Sequence, residues 1–417
     1  MSLKWLYLDL NSYFASVEQQ LHPTLRNRPV AVVPSLTDST CAIAASYEAK
    51  AYGIKTGTKI YEAKRMCPDL ILVCGNHQHY VEYHHRILKE IDKYIPVDQI
   101  CSIDEVACKL VGRECNEDYA LDLARRIKQG IRQNVGECLR CSIGIAPNKF
   151  LAKTASNLEK PNGLQIIYAE DMPGRISHFK LRDLTGIGQG VEYRLHRAGI
   201  FTIEQLFTLS PKHMRKIWGG VGGERYWYML RGHQLPDVET TRSSIGHSHI
   251  LEPNLRPEKK ARQVMKRLLL KAASRLRRKK YYAKHMSLGV RIEQGSKVKL
   301  DTSFYRSCDN IILGREATKL WQQLIERHHP HRIKKVSITL DHLVENKNLQ
   351  PELFDNVRKS HLVKQQGFEN LSKAMDVINA KFGKDSIVMG NLPNQTQSFS
   401  GTKVAFTRIP ELKEFYE

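Results

Sequence analysis

Several things are scarce in this 417-residue chain, and each scarcity excludes something. No apolar stretch approaches the roughly 20 residues needed to span a bilayer, so a membrane protein is not expected. The N-terminal run from Met1 to Tyr13 carries Asp9 inside it and lacks a small-residue cleavage site, so it does not read as a secretory signal. An intracellular, cytoplasmic protein is the expectation. Cysteine is present at nine positions but scattered through apolar segments, which fits a reducing compartment and not a disulfide framework. Only Cys138 and Cys141 form a C-x-x-C, no second ligand pair lies nearby, and buried thiols are expected rather than a zinc or redox site. Acidic residues are also short: 43 Asp and Glu face 65 Lys and Arg.

What is abundant is therefore positive charge, +22 in all with a pI near 9.6. That excess favours a polyanion, because basic side chains that neutralise phosphates release condensed counterions. Nucleic acid leads the candidates. Hydrophobic residues make up 41% of the chain and charged ones 26%, so real cores are expected, and the length points to two to four domains.

Along the chain, Lys4 to Leu10 reads as a strand that ends near Asp9 and runs into a helix over Ser12 to Gln20, with Ser12 as its cap. Pro29 to Pro34 is another strand, Ser46 to Gly53 a short helix, and His77 to Tyr94 a longer one. Ile100 to Leu110 and Cys141 to Ile145 are further strands. From about Met172 short helices with glycine punctuation take over, and Gln234 to Ser244 is a linker. Pro257 to Lys280 has helical period and a heavy load of Lys and Arg; Ser287 to Ile292 and Val336 to Val344 alternate as strands around a helix near Leu313 to Arg327. Beyond Asn346 the chain is polar, with one amphipathic stretch at Leu371 to Phe382, and much of it is expected to order only on a partner.

Chemistry concentrates in three carboxylates. Asp9 ends the first strand, and the pair Asp104-Glu105 sits inside apolar Ser102-Ile-Asp-Glu-Val-Ala107. An acidic dipeptide is costly to bury without a cation, and two-metal phosphoryl transfer needs carboxylates gathered from separate strands. Taken singly, Asp9 is as well explained by a helix cap and Asp104-Glu105 by a turn. Their surroundings reverse that. Asp9-Leu-Asn-Ser-Tyr-Phe-Ala-Ser-Val-Glu18, Tyr47-Glu-Ala-Lys50, Ser102-Ile-Asp-Glu105, and Asn148-Lys149 through Lys160-Pro-Asn-Gly163 closely resemble, in order, the signature blocks of the Y-family (translesion) DNA polymerases.

The resemblance, which runs to about Val344, implies a multidomain α+β right-hand polymerase. Residues 1–19 and 76–168 would form a ferredoxin-like palm, 20–75 small fingers, 169–234 a helical helix-hairpin-helix thumb, 235–243 a linker, 244–345 an α/β little finger, and 346–417 a tail. It implies that Asp9, Asp104, Glu105 and the Leu10 carbonyl hold two Mg2+ ions, with Mn2+ a possible substitute, for template-directed, error-prone transfer of nucleotides from dNTPs to a primer 3′ hydroxyl. Phe14 matches a steric gate against ribose, although Tyr13 beside it is a rival and a core role is open to Phe14. Tyr47, Lys50 and Lys160 match triphosphate contacts; Cys41, Ile43 and Gly57 match positions lining the nascent base pair. Three features depart from the pattern: Lys50 where the family often has Arg, Asn11 where many relatives carry Asp, and Val106-Ala-Cys-Lys109 after the acidic pair.

Two further expectations concern binding. Gly186-Ile-Gly-Gln-Gly190 with Ala198-Gly-Ile200 looks like a helix-hairpin-helix, and the basic run from Lys259 to Lys280 should flank an apolar stripe and grip a duplex. Gln350-Pro-Glu-Leu-Phe354 is similar to the peptide by which bacterial polymerases dock on a sliding clamp through Gln350, Leu353 and Phe354, and Leu371 to Asn379 resembles C-terminal segments of bacterial translesion polymerases. The expected partners are primed template DNA, dNTPs and that clamp, with a monomer acting at the nucleoid and no membrane contact. The rivals are a catalytically inactive DNA-binding or clamp-associated protein on the same scaffold, and a helix-hairpin-helix nuclease or repair module, which leaves the N-terminal blocks unexplained.

Overall fold

A computed structural model describes residues 2–238, 241, 243–293, 295–346, 359–383, 386–389 and 409, with 359–364 described by backbone alone. The described residues divide into two compact units, the first running to Asp237 and the second starting at Val238.

The first unit begins with β1 (Trp5–Leu10) and α1 (Tyr13–Leu21). A small three-stranded layer follows: β2 (Val30–Val33), β3 (Ala44–Ala45), α2 (Tyr47–Ala51), α3 (Ile60–Met66) and β4 (Ile71–Cys74), with β2 between an antiparallel β3 and a parallel β4. Its own apolar cluster of Ala31, Val33, Ile54, Ile60 and neighbours is small, as short strands and short helices require. Next come α4 (His77–Ile91), β5 (Gln99–Ile100), β6 (Glu105–Lys109), α5 (Glu117–Gly130), β7 (Cys141–Ala146), α6 (Lys149–Leu158) and β8 (Leu164–Ile166). The main sheet has the order β5-β6-β1-β7-β8, so the first strand of the sequence lies at its centre. That explains the composition of β1 and β7: central strands buried on both sides read as apolar runs, and every residue of β7 is buried. Helices α7 (Gln189–Arg197), α8 (Ile203–Thr208), α9 (Pro211–Trp218) and α10 (Val221–Leu230) complete the unit around Leu195, Ile203, Leu206, Met214 and Tyr226.

The second unit contains β9 (Ser244–Ile250), α11 (Glu258–Arg278), β10 (Tyr281–Ile292), β11 (Lys297–Ser307), α12 (Asn310–His328), β12 (Ile333–Asp341), β13 (Val344–Glu345) and α13 (Lys359–Phe382). Its antiparallel sheet runs β11-β10-β12-β9, with β13 on the first residues of β10. Val264, Leu268, Leu269, Ala272 and Leu276 of α11 and Leu313, Leu320 and Trp321 of α12 are buried with Leu288, Val336 and Ile338 of the sheet. The apolar stripe expected in the basic helix is there, with Lys and Arg beside it.

Four expectations need correction. Ile100 to Leu110 is not one strand: residues 101–104 form a turn between β5 and β6, which lifts Asp104 out of the ladder. Ser12 makes no side-chain cap; it sits in the left-handed region at φ 49° between strand and helix. Strands β9 and β11 were not anticipated, because their outward residues are Gly, Ser, Lys and Asp and their alternation is weakly apolar. The amphipathic stretch of the tail belongs to a helix starting at Lys359 that packs on its own unit, with the Arg277 guanidinium gripping Asp376 at 2.6 and 2.8 Å and Tyr282 donating to Glu369 at 2.9 Å. The peptide Gln350 to Phe354 lies outside the described residues.

Candidate active site

Pairing of β1 with β6 sets Asp9 directly opposite Glu105, so the two carboxylates share one face of the central sheet. Asp104 joins them from the turn, whose carbonyl accepts from the Leu10 N–H at 2.8 Å. The turn is held from behind by α4, where the buried His84 Nδ1 lies 2.8 Å from the Ile103 carbonyl. A carbonyl only accepts, so Nδ1 carries the proton, and burial pushes the His84 pKa down to about 4. The imidazole is therefore neutral near pH 7.

Asp104 and Asp9 are both raised, burial being the larger cause for each. Burial, with Asp9 and Glu105 adding to it, pushes Asp104 up to about 6 although Ser102 Oγ donates to it at 2.5 Å. Burial also raises Asp9, opposed by the Lys160 ammonium at 2.7 Å. Glu105 is held by Lys153 at 2.7 and 2.8 Å and by the Tyr7 hydroxyl at 3.0 Å. Lys153 was not singled out from the sequence. A signal existed, since Lys149 and Lys153 are one helical turn apart on α6 and lie over the rings of Trp5 and Tyr7, alternate residues of β1.

The remaining expected residues fall around this centre. Tyr47 and Lys50 begin α2, with the Lys50 ammonium 4.3 Å from the Tyr47 ring centroid. Burial pushes Tyr47 up to about 12, with the Asp9 charge adding to the rise; burial and then Lys160 push Lys50 down. Phe14 stacks on Tyr80 with ring centroids 4.2 Å apart, whereas the Tyr13 hydroxyl is spent on the Tyr80 carbonyl at 2.6 Å. Leu10 is buried at the end of β1. Ile43 is hydrogen-bonded to Val32, Cys41 bridges to Lys59, and Gly57 takes φ +91° with open space where a Cβ would stand.

The substitution of Asn for Asp at position 11 has a structural account. Asn11 donates to Ser142 Oγ at 3.1 Å and accepts from the Asn162 N–H at 2.7 Å, which ties the loop carrying Lys160 to the end of β1. Of the two expected buried thiols, Cys141 is buried and pushed up to about 12, whereas Cys138 is only half-buried; all nine cysteines are free of disulfides. Among the described residues no helix is long and apolar enough to cross a membrane.

Comparison with known proteins follows the same division of the chain. Residues 8–157 match the impB/mucB/samB family, and residues 242–353 match the C-terminal domain of that family. In solved structures, the fold is similar to a Y-family Dbh–Dpo4–Dbh DNA polymerase chimera, with TM-score 0.68 and 25% identity over 82% of this chain and 100% of that one. The chain belongs to the Y-family DNA polymerases, a right-hand α+β class. Its curated relatives are DNA polymerase IV of Moorella thermoacetica, 32% identical over 91% of this chain and 93% of that protein, and DNA polymerase IV of Pelotomaculum thermopropionicum, 30% identical over 92% and 94%. The activity is that of a metal-dependent, DNA-directed DNA polymerase carrying out template-directed translesion synthesis, and the inactive-scaffold reading falls.

Proposed function

We propose that Asp9, Asp104, Glu105 and the Leu10 carbonyl form the metal-holding catalytic centre, and that Phe14, Tyr47, Lys50 and Lys160 receive the dNTP. The observation that carries this is the cross-strand pairing of Asp9 with Glu105 beside a turn that delivers Asp104. The donor set fits the group: it is all oxygen, suited to a hard divalent cation, and burial together with the neighbouring Asp9 and Glu105 charges holds Asp104 up at about 6, where a cation would relieve it. Two Mg2+ ions, or Mn2+ in their place, would supply charge neutralisation and Lewis acidity when bound, as the primer 3′ hydroxyl displaces pyrophosphate from the α-phosphate. Lys160 and Lys50 offer cations, and Tyr47 a phenol donor, to the triphosphate oxygens. The Phe14 ring, fixed against Tyr80, presents a wall that a ribose 2′ hydroxyl would strike.

By the same reading the small layer of 20–75 serves as fingers, 1–19 with 76–168 as palm, 169–234 as thumb, and 244–345 as little finger joined through 235–243. Primed template DNA is gripped in part by the N-terminus of α7, where Gly188 and Gly190 leave open space for a phosphate to reach the backbone. A second surface is the sheet face of the second unit turned away from its helices. There Arg291 pairs with Lys297 of β11 and Lys335 of β12, all exposed, so three cations share one rung. Like charges opposite one another are unfavourable unless a polyanion lies across them. Gln350, Leu353 and Phe354 dock on a sliding clamp, and the enzyme works as a monomer in the bacterial cytoplasm at the nucleoid.

Primer extension on a primed template with each dNTP and Mg2+ tests the centre. The native chain incorporates the templated nucleotide, and Asp104→Ala/Glu105→Ala loses incorporation while still binding DNA. Retained extension by that variant would remove these carboxylates from the chemistry.

A further inference from the structure

A second cluster of metal-type ligands lies in the other unit, at the corner where β10, β12 and β13 meet. His285 of β10 stands directly opposite Asp341, the last residue of β12. The next residue, His342, adopts φ 50°, a left-handed conformation that interrupts the ladder before β13 resumes it along β10, and its ring lies 5.1 Å from that of His285. One donor atom from each of His285, Asp341 and His342 lies within 4.8 Å of the other two. Tetrahedral ligands at about 2.1 Å from a metal stand roughly 3.4 Å apart. The measured Nδ1–Oδ1 separations of 2.6 Å (His285–Asp341) and 3.9 Å (His342–Asp341) bracket that value.

Two details distinguish this corner from an ordinary ion pair. His285 Nδ1 and Asp341 Oδ1 are both buried, and despite their closeness neither has a hydrogen-bond partner in acceptable geometry. Two such atoms face each other favourably only if a positive charge, a proton on the ring or a metal ion, neutralises them. On the other side of the same ring, Nε2 is 3.3 Å from Asp301 Oδ2, on β11. A carboxylate only accepts, so Nε2 carries a proton, and in the neutral ring the Nδ1 lone pair is aimed at the cluster. A carboxylate behind a ligating imidazole is the usual arrangement that fixes its tautomer and raises its basicity.

We infer that His285, Asp341 and His342 bind a divalent transition metal, with Asp301 as the carboxylate that orients His285. Two imidazoles and one carboxylate suit Zn2+, Ni2+ or Co2+ in preference to Mg2+, whose preferred donors are oxygen alone. The site is separate from the carboxylate centre of the first unit. Metal there pins the interrupted rung between β12 and β13 to β10.

The test uses the full chain, stripped with chelator, in excess Mg2+ to saturate the carboxylate centre. Zn2+ is then titrated against a chromophoric chelator. The expected result is one tight zinc equivalent, retained in Asp104→Ala/Glu105→Ala, lost in His342→Ala, and weakened about 10- to 100-fold in Asp301→Asn. His342 is 73% exposed, so removing its ring leaves the fold intact, and a matching thermal midpoint without metal verifies this. Cobalt substitution should give visible bands of nitrogen and oxygen ligation, distinguishing the site from the cysteines. Absence of a tight equivalent, or zinc binding unchanged in both His342→Ala and Asp301→Asn, would overturn the inference and leave a protonated His285 paired with two carboxylates.

Discussion

His84 shows what one buried side chain contributes at this site. Its folded pKa, near 4, lies below the ordinary 6.5, so between these values the unfolded chain binds more protons than the folded one. Stability is therefore lost as pH falls from about 6.5 to 4. A displacement of that size corresponds to about 3 kcal/mol. His84→Gln, which keeps a donor for the Ile103 carbonyl without titrating, should be less sensitive over that window, as denaturant melts at pH 7, 5.5 and 4.5 would show. Asn11 offers a second case. Asn11→Ala leaves the Asn162 N–H without its acceptor and should cost about 1–3 kcal/mol while raising KM for dNTP through a loosened Lys160 loop. Asn11→Asp keeps the acceptor and can take the Ser142 hydroxyl proton instead, so both values should stay near the parent. Steady-state kinetics and urea melts of the two variants separate positioning from bulk destabilisation.

Helix α6 illustrates how an element becomes part of a site. It packs so closely on β7 that a Cβ at Gly144 would meet the Ala152 carbonyl oxygen at 2.0 Å and the Ser156 nitrogen at 2.3 Å. Gly144→Ala should force the helix outward, cost about 2–3 kcal/mol, and pull Lys153 from Glu105. A urea midpoint shift accompanied by a lower kcat in primer extension would confirm this; an unchanged kcat would show that Lys153 is not positioned by this contact. Elements such as α4, α11, β1 and β7 were legible in the sequence because one physical pattern dominates each: an apolar stripe, or a run buried on both sides. The turn 101–104 was not legible. Its residues are as apolar as a strand's, and only the paired register of β1 with β6 reveals that Asp104 leaves the ladder. Strand β11 was missed for the opposite reason, since its outward lysines and aspartate resemble a loop.

For the whole molecule, the net charge of +22 becomes informative once it is placed. Charge alone pointed to nucleic acid, and the signature blocks placed the three carboxylates, but neither located the rung of Arg291, Lys297 and Lys335, because that rung exists only when three strands pair. DNA affinity measured by anisotropy across a salt series should fall steeply, with a logarithmic slope near 0.9 per phosphate neutralised. Replacing the three cations by Ala should lower that slope by roughly two to three, equally for unrelated DNA sequences. An unchanged slope would take this face out of the interface.

Docking of α13 also fixes the described residues on either side of the proposed clamp peptide. Asn346 is anchored by its N–H to the Lys280 carbonyl, and the segment from Lys359 is anchored through Asp376 and Glu369. Under the proposed docking of Gln350 to Phe354 on a sliding clamp, the chain between these anchors can reach at most about 3.5 Å per residue, so capture would bring the second unit to a high effective concentration. Asp376→Ala, which releases one anchor, should then weaken clamp-dependent primer extension while leaving the peptide itself untouched.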